Sequence, residues 1–484
     1  METDTTRREE DLLGALEVPA DVYWGVHTAR AIRNFPLSGR PVRPALIRAL
    51  ALVKKACAAA NLELGYLPPE KGEAIIKASA ELAAGGFSDQ FPVDSLQGGA
   101  GTSTNMNVNE VVANRAIELL GGRKGDYHII HPIEDVNLHQ STNDVYPTAL
   151  RVAAITGLRG LGRAVADLQG AFQEREKAFG SVVTIGRTEL QEAVPMTLGA
   201  EFAGFAEAFS RDRWRTAKSE ERLRVVNLGG TAIGTGLAAP RDYIFLVIEK
   251  LREATGMGLS RGENLTGETA NADSFVEVSG ILKAHAVNLV KIAGDLRLLN
   301  FTGEIRLHPL QAGSSIMPGK VNPVLPEAII QTGLRAMADD MLIAEAASRG
   351  TWQINEFLPL IAEALLDEIE LLTAANPLLA AHVRGLAADE ARCRALFDAS
   401  PMIVTALVPL IGYERAEELV KEFHERQPSP DGSVLPAEWD TAAGRSIRTF
   451  LEEKLGKKLI DEVFSAYRLT ALGYRKDGYD TEGK

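Results

Sequence analysis

Between Pro147 and about residue 375 the apolar positions fall in long stretches, and their spacing predicts extended helices. The stretch 274–299 (SFVEVSGILKAHAVNLVKIAGDLRLL) carries apolar residues on nearly every face and few charges. That is the pattern of a helix surrounded by other helices rather than one lying on a surface. Segments 148–178, 197–226 and 324–349 read similarly, with some amphipathic drift. Long helices joined by short connections predict an extended bundle. Residues 1–143 instead mix short helices with Gly- and Pro-rich loops, among them 91–105 and 139–143. From about 398 the pattern changes again, with a polar, Pro-rich linker at 426–437 flanked by helical pieces. Alternating β-branched runs are scarce. The expectation is an all-α protein with minor β structure, in three domains spanning 1–143, 144–397 and 398–484.

Composition narrows the function. A chain of 484 residues is too long for one ordinary core, in keeping with two or three domains. Aromatic residues make up only 6%, and Ala and Leu dominate the long segments, which favours closely packed helices. A net charge of −13, without a dense Lys/Arg run, argues against nucleic acid and against an anionic membrane surface as partner. An anionic ligand would have to be held by local donors, because the field of the whole chain opposes it. Cys57 and Cys393 cannot build a disulfide framework or a Cys-rich zinc site, and each reads as a small core residue. The eight histidines show no metal-ligand spacing. The start, METDTTRREEDLLG, lacks the apolar centre of a signal peptide, and no apolar run reaches transmembrane length. A cytoplasmic protein without metal or other cofactor is expected.

The most informative segment is 313–323, GSSIMPGKVNP. It is not a phosphate loop, because five residues separate Gly313 from Gly319 and Val321 stands in place of Ser/Thr. It is not a nucleophile elbow, because Met317 occupies the place of the second glycine. What it offers is a mobile turn leading into a helix near Pro323, with Ser314 and Ser315 beside backbone donors. Lys320 adds a cation, and Asn322 can donate and accept. A carboxylate that becomes a dianionic enediolate needs such donors where the charge develops. Other polar loops lie at 98–107 (Thr102, Ser103, Thr104 on a Gly-rich turn) and 140–144 (Ser141, Thr142, Asn143 at a helix start). The loop at 186–195 adds Thr188 and Glu189, and 227–237 has no ionisable group and reads as backbone packing. Hydroxyl-rich loops with one conspicuous cation suggest a small anion held by many neutral donors.

These segments carry a resemblance. GSSIMPGKVNP, with GGAGTSTNMNVNE, HQSTND, GRTELQEAVPMTLG, NLGGTAIGTGL and PMIVTAL in order, resembles the aspartase/fumarase superfamily over most of the chain. Within it, residues 9–35 look like the aspartate ammonia-lyases rather than the fumarases. The resemblance implies a homotetramer with a central helical bundle and active sites each assembled from three subunits. It implies a base that removes the proton beside a carboxylate, and an enediolate that expels ammonia to leave fumarate. By position Ser314 is that base, and Lys320, Asn322 and Ser315 hold a carboxylate. Thr102, Ser141, Thr142, Asn143 and Thr188 line the pocket, with Arg30 near its edge.

The chain also departs from the family. Glu189 stands where His or Gln is expected, and Glu327 matches a family glutamate that can lie near it. The expectation is that these two carboxylates approach each other and favour an ammonium or amide over a carboxylate. The loop 298–313 lacks the usual Ser-Gly-Pro-Arg element, and Val408 replaces an Asn. The leading function is therefore elimination of ammonia from L-aspartate or a close derivative. Fumarate hydration, a lyase for an amide or N-substituted aspartate, and a catalytically inactive structural homologue are the alternatives.

Overall fold

The computed structural model describes residues 5–426 and 446–473, so the expected linker at 426–437 lies, but for Arg426, outside the described residues. Long helices dominate as the apolar spacing requires: Thr142–Ala178, Leu198–Ser219, Asp273–Thr302, Val324–Ala347 and Leu358–Gly385. The strands among the described residues form only four two-stranded sheets. Contacts divide the chain into two compact units, one of residues 1–163, 213–287 and 332–374, the other of 164–212, 288–331 and 375–484.

In the first unit, Pro147 sits inside the helix Thr142–Ala178. Proline has no N–H for the carbonyl four residues back, so Asn143 loses its helical donor. The side-chain amide of Asn227 replaces it, donating to the Asn143 carbonyl at 2.9 Å. The helix thus begins on a side-chain donor from a distant loop, and that fixes where the hydroxyls of 141–143 lie.

In the second unit, Phe172 packs against Phe202 and Phe209 with ring centres 5.8 and 5.2 Å apart. The C-terminal helices enclose a core of their own in which Phe397, Leu419, Leu451, Ile460 and Phe464 are almost wholly buried. Ile185, from the hairpin Val183–Thr188/Gln191–Thr197, belongs to that core. Each such side chain contributes about 1.5–3 kcal/mol of transfer free energy, enough to hold the hairpin base while its tip stays in solvent. No single helix among the described residues is long and apolar enough to cross a membrane.

Candidate active site

In the first unit the Gly-rich stretch ends in left-handed backbone at Gly99 and Gly101, with φ of +86° and +94°. A Cβ on Gly101 would come within 2.3 Å of the Tyr146 ring, so the turn needs glycine there for both space and conformation. Thr102, Ser103 and Thr104 do not lie on the turn, as expected from the sequence, but form the first turn of the helix Thr102–Leu119. Thr104 is buried, its N–H and hydroxyl both donating to Gln97 Oε1 at 2.9 Å. Thr102 stays exposed. Asn105 Nδ2 donates to Thr142 Oγ1 at 3.1 Å, which joins two of the polar loops directly.

Ser141 Oγ accepts the Asn143 N–H at 3.2 Å, and Asn143 Nδ2 donates to the Ala232 carbonyl at 2.8 Å. Beneath them lies Asp144, fully buried, which accepts the N–H groups of Ser141, Gly229 and Thr231 at 2.9, 3.1 and 3.0 Å. Burial pushes its carboxyl up to about 6. The loop 227–237, expected only to pack, therefore supplies the donors that hold the 141–144 turn.

Lys54 is buried as well, on the apolar helix Pro44–Glu63. Its ammonium donates to Asn137 Oδ1 and Gln140 Oε1, both at 2.8 Å, just before Ser141. Burial pushes it down to about 7, against an ordinary 10.5. Between those values only the unfolded chain holds the proton, so stability rises with pH across that window. The melting temperature of the wild type is expected to gain on that of Lys54→Met from about pH 7 to 10.5. Parallel melting curves over that range would refute the assignment.

Arg30 is bound within its own unit. Its Nε and Nη2 donate to Asp11 at 2.8 Å, and Nη2 also donates to the Gly14 carbonyl at 2.7 Å. Asp11 and Gly14 end the two strands of the amino-terminal hairpin Thr6–Asp11/Gly14–Pro19.

In the second unit, residues 186–195 form most of a β-hairpin rather than a loop. Its two-residue turn is Glu189–Leu190, with φ of 52° and 63°. Left-handed backbone at both positions is the hairpin turn that suits twisted strands. Glycine or asparagine usually fills it, and other residues strain it by roughly 1–2 kcal/mol each. Thr188, Glu189 and Leu190 are all exposed at this tip.

The signature segment closes on itself. The Gly313 N–H donates to the Lys320 carbonyl at 2.7 Å, and Asn322 Nδ2 donates to the Gly313 carbonyl at 2.8 Å. A Cβ on Gly313 would meet Asn322 N and Lys320 O at 2.9 Å. Ser314 Oγ accepts two backbone N–H groups, from Ile316 at 3.2 Å and Met317 at 2.9 Å. Ser315 and Lys320 are exposed, and among the described residues the Lys320 ammonium has no acidic partner. Two amides on one serine oxygen, with a free cation nearby in sequence, favour negative charge on that oxygen.

Glu327 lies in the first turn of the helix Val324–Ala347, with its carboxylate 3.7 Å from Arg297. Glu189 has no hydrogen-bond or ion-pair partner among the described residues. Val408 begins the short helix Val408–Ile411. In the shortened segment, the helix ends at Thr302, the strand Ile305–Arg306 pairs with Ala387–Ala388, and the run to Gly313 follows. Among the described residues no group of three or more His, Cys, Asp or Glu is placed to hold a metal ion.

Comparison with known proteins decides the family. The lyase family profile matches residues 14–338. The chain is 48% identical to an aspartate ammonia-lyase of Pseudomonas aeruginosa over 86% of its own length and 90% of that protein's. The chain belongs to the aspartase/fumarase superfamily. With the aspartate ammonia-lyase of Escherichia coli K12 this lyase shares 40% identity over the whole of both chains. Its fold matches a fumarate lyase:delta crystallin from Brucella melitensis bound to cobalt, with a TM-score of 0.89 and 43% identity. That match covers 96% of this lyase and 100% of the Brucella chain. The helical fold expected from the apolar spacing is thereby borne out, and so is the superfamily. The relatives place the lyase among the carbon–nitrogen lyases.

Proposed function

We propose that this lyase reversibly eliminates ammonia from L-aspartate, or a close derivative, to give fumarate. The observation that carries the chemistry is the Ser314 hydroxyl on the amides of Ile316 and Met317, in a segment whose one cation, Lys320, is unpaired among the described residues. A free serine hydroxyl is too weak a base, and donors fixed on its oxygen lower the cost of the alkoxide. In this reading Ser314 takes the proton from the carbon beside a carboxylate. The electron pair moves into that carboxylate as an enediolate. It then returns to form the double bond while the amine leaves from the neighbouring carbon. Lys320, Asn322 and Ser315 hold the carboxylate in which charge accumulates. Thr102, Ser141, Thr142, Asn143 and Thr188 surround the rest of the substrate, with Arg30 near the edge.

The aspartate ammonia-lyase names of relatives at 40–48% identity support the substrate. A homotetramer with sites shared between subunits is part of the proposal. Large apolar side chains left exposed on the long helices support it: Val287 at 47%, Leu298 at 45%, Phe301 at 86%, Leu334 at 55% and Met341 at 65%. A second reading, a lyase for an amide or N-substituted aspartate, is favoured by the unpartnered carboxylate of Glu189 at the hairpin tip.

The test is the ultraviolet absorbance of fumarate when the purified full chain meets L-aspartate, L-malate and L-asparagine in parallel. Rapid growth with aspartate establishes the first reading, and growth with malate alone replaces it with hydration. Silence with both, with an unsaturated product from the amide, selects the second reading.

A further inference from the structure

Glu304 is a charged residue that the proposed chemistry does not use. It follows the helix Asp273–Thr302 and is fully buried. Its carboxylate accepts the Thr184 hydroxyl on Oε1, and Arg187 Nη1 and the Thr302 hydroxyl on Oε2 at 2.8 and 2.6 Å. Its carbonyl accepts the Asp389 N–H at 2.9 Å and the Cys393 thiol at 3.5 Å. The next two residues pair with Ala387–Ala388, Arg306 forms an ion pair with Asp389, and the Leu307 N–H donates to Asn300 Oδ1 at 3.1 Å.

The partners of this carboxylate come from two sequence segments. Thr184 and Arg187 lie on the strand that ends at Thr188 and the Glu189 turn. Thr302 and Glu304 lie at the stem of the segment that runs through 307–312 to Ser314. Arg187 depends on the link: Glu304 is its acidic partner, and its Nε and Nη2 are buried without an acceptor among the described residues. A buried guanidinium deprived of its carboxylate is costly, so the pair holds or fails together. A backbone bulge between Ile185 and Arg187 turns the strand at this point.

We propose that Glu304 is a positioning residue: its carboxylate locks the strand carrying Thr188 and Glu189 to the stem of the segment carrying Ser314. The catalytic consequence rests on the reading of Ser314 as the base. The mechanical link does not.

The test uses the full chain with Glu304→Gln, which keeps the size but loses the charge and presents an N–H₂ group to donors. Hydrogen exchange at backbone amides is expected to quicken in both 183–197 and 307–323 and to stay unchanged in the helix Pro44–Glu63, which lies in the first unit. If catalysis uses the link, kcat falls by roughly tenfold or more, with KM moving less, because misplaced groups slow the chemical step more than they weaken binding. The double variant Glu304→Gln/Arg187→Met removes both charges, and it is expected to recover part of the lost kcat and to slow exchange again. Should Glu304→Gln not fold, Glu304→Asp keeps the charge on a shorter stem and is expected to quicken exchange in both segments to a smaller degree. Faster exchange in only one segment, or losses in the double variant that simply add, overturns the proposal. A wild-type chain inactive on every substrate would defeat the lyase substrate reading alone, and the exchange result would still decide the link.

Discussion

Ser314→Ala is expected to lower kcat by about a thousandfold, the range of a lost general base, while substrate binding and melting temperature stay near wild type. The hydroxyl is half-buried and serves here as an acceptor for the Ile316 and Met317 amides. Losing it exposes those amides to water at a surface turn, a cost of about 0.5–1.5 kcal/mol at most. The segment keeps its closure, because the Gly313–Lys320 and Asn322–Gly313 hydrogen bonds do not involve Ser314. Fumarate appearance reports kcat, and calorimetric titration with substrate reports binding. Near-normal turnover in this variant would remove Ser314 from the role of base.

Lys320→Ala acts differently. The chain carries a net charge of −13, so a dicarboxylate approaches against the overall field and needs a local cation. Lys320 is exposed and lacks an acidic partner among the described residues, whereas Arg30 and Arg187 are each bound to a carboxylate. Losing a charge-assisted hydrogen bond worth about 1.5–3 kcal/mol corresponds to roughly ten- to a hundredfold. The expected result is a loss of that size in kcat/KM, with KM clearly raised, in contrast to Ser314→Ala. A fall in kcat at unchanged KM would mean that Lys320 acts only once charge has developed. No change in either would mean that the carboxylate is held elsewhere.

The helical bundle was legible because its signal is redundant. The stretch 324–349 reads as helical and Val324–Ala347 is found, since apolar positions recur at helical spacing up to Ala347. The stretch 197–226 overran, because nothing in EERLRVV marks the end at Ser219, where a 3-10 turn and then the strand Val225–Val226 take over. Residues 186–195, most of the hairpin 183–197, read as a loop in the sequence because Glu-Leu lacks the Asn-Gly signature of its turn. The strands are fixed instead by Ile185 in the C-terminal core and by Glu304. Thr102–Thr104 read as part of a turn because Gly-rich polar sequence has low helix propensity, whereas the Gln97 side chain caps the helix from outside it. Nothing in the sequence marks Lys54 or Asp144 as part of the site. Apart from the Ser141 N–H on Asp144, their partners lie more than 80 residues away along the chain, and a single sequence does not pair them.

The two buried cysteines make the chain a convenient host for a reporter. Cys57 and Cys393 are both fully buried, and burial pushes each thiol up to about 12. At neutral pH neither offers thiolate to an electrophile, and the sequence contains no third cysteine. A cysteine placed at Val321, which is 51% exposed, would thus be the single site to take a maleimide dye. One label, with no prior removal of native thiols, would then follow the signature segment optically through substrate binding and turnover.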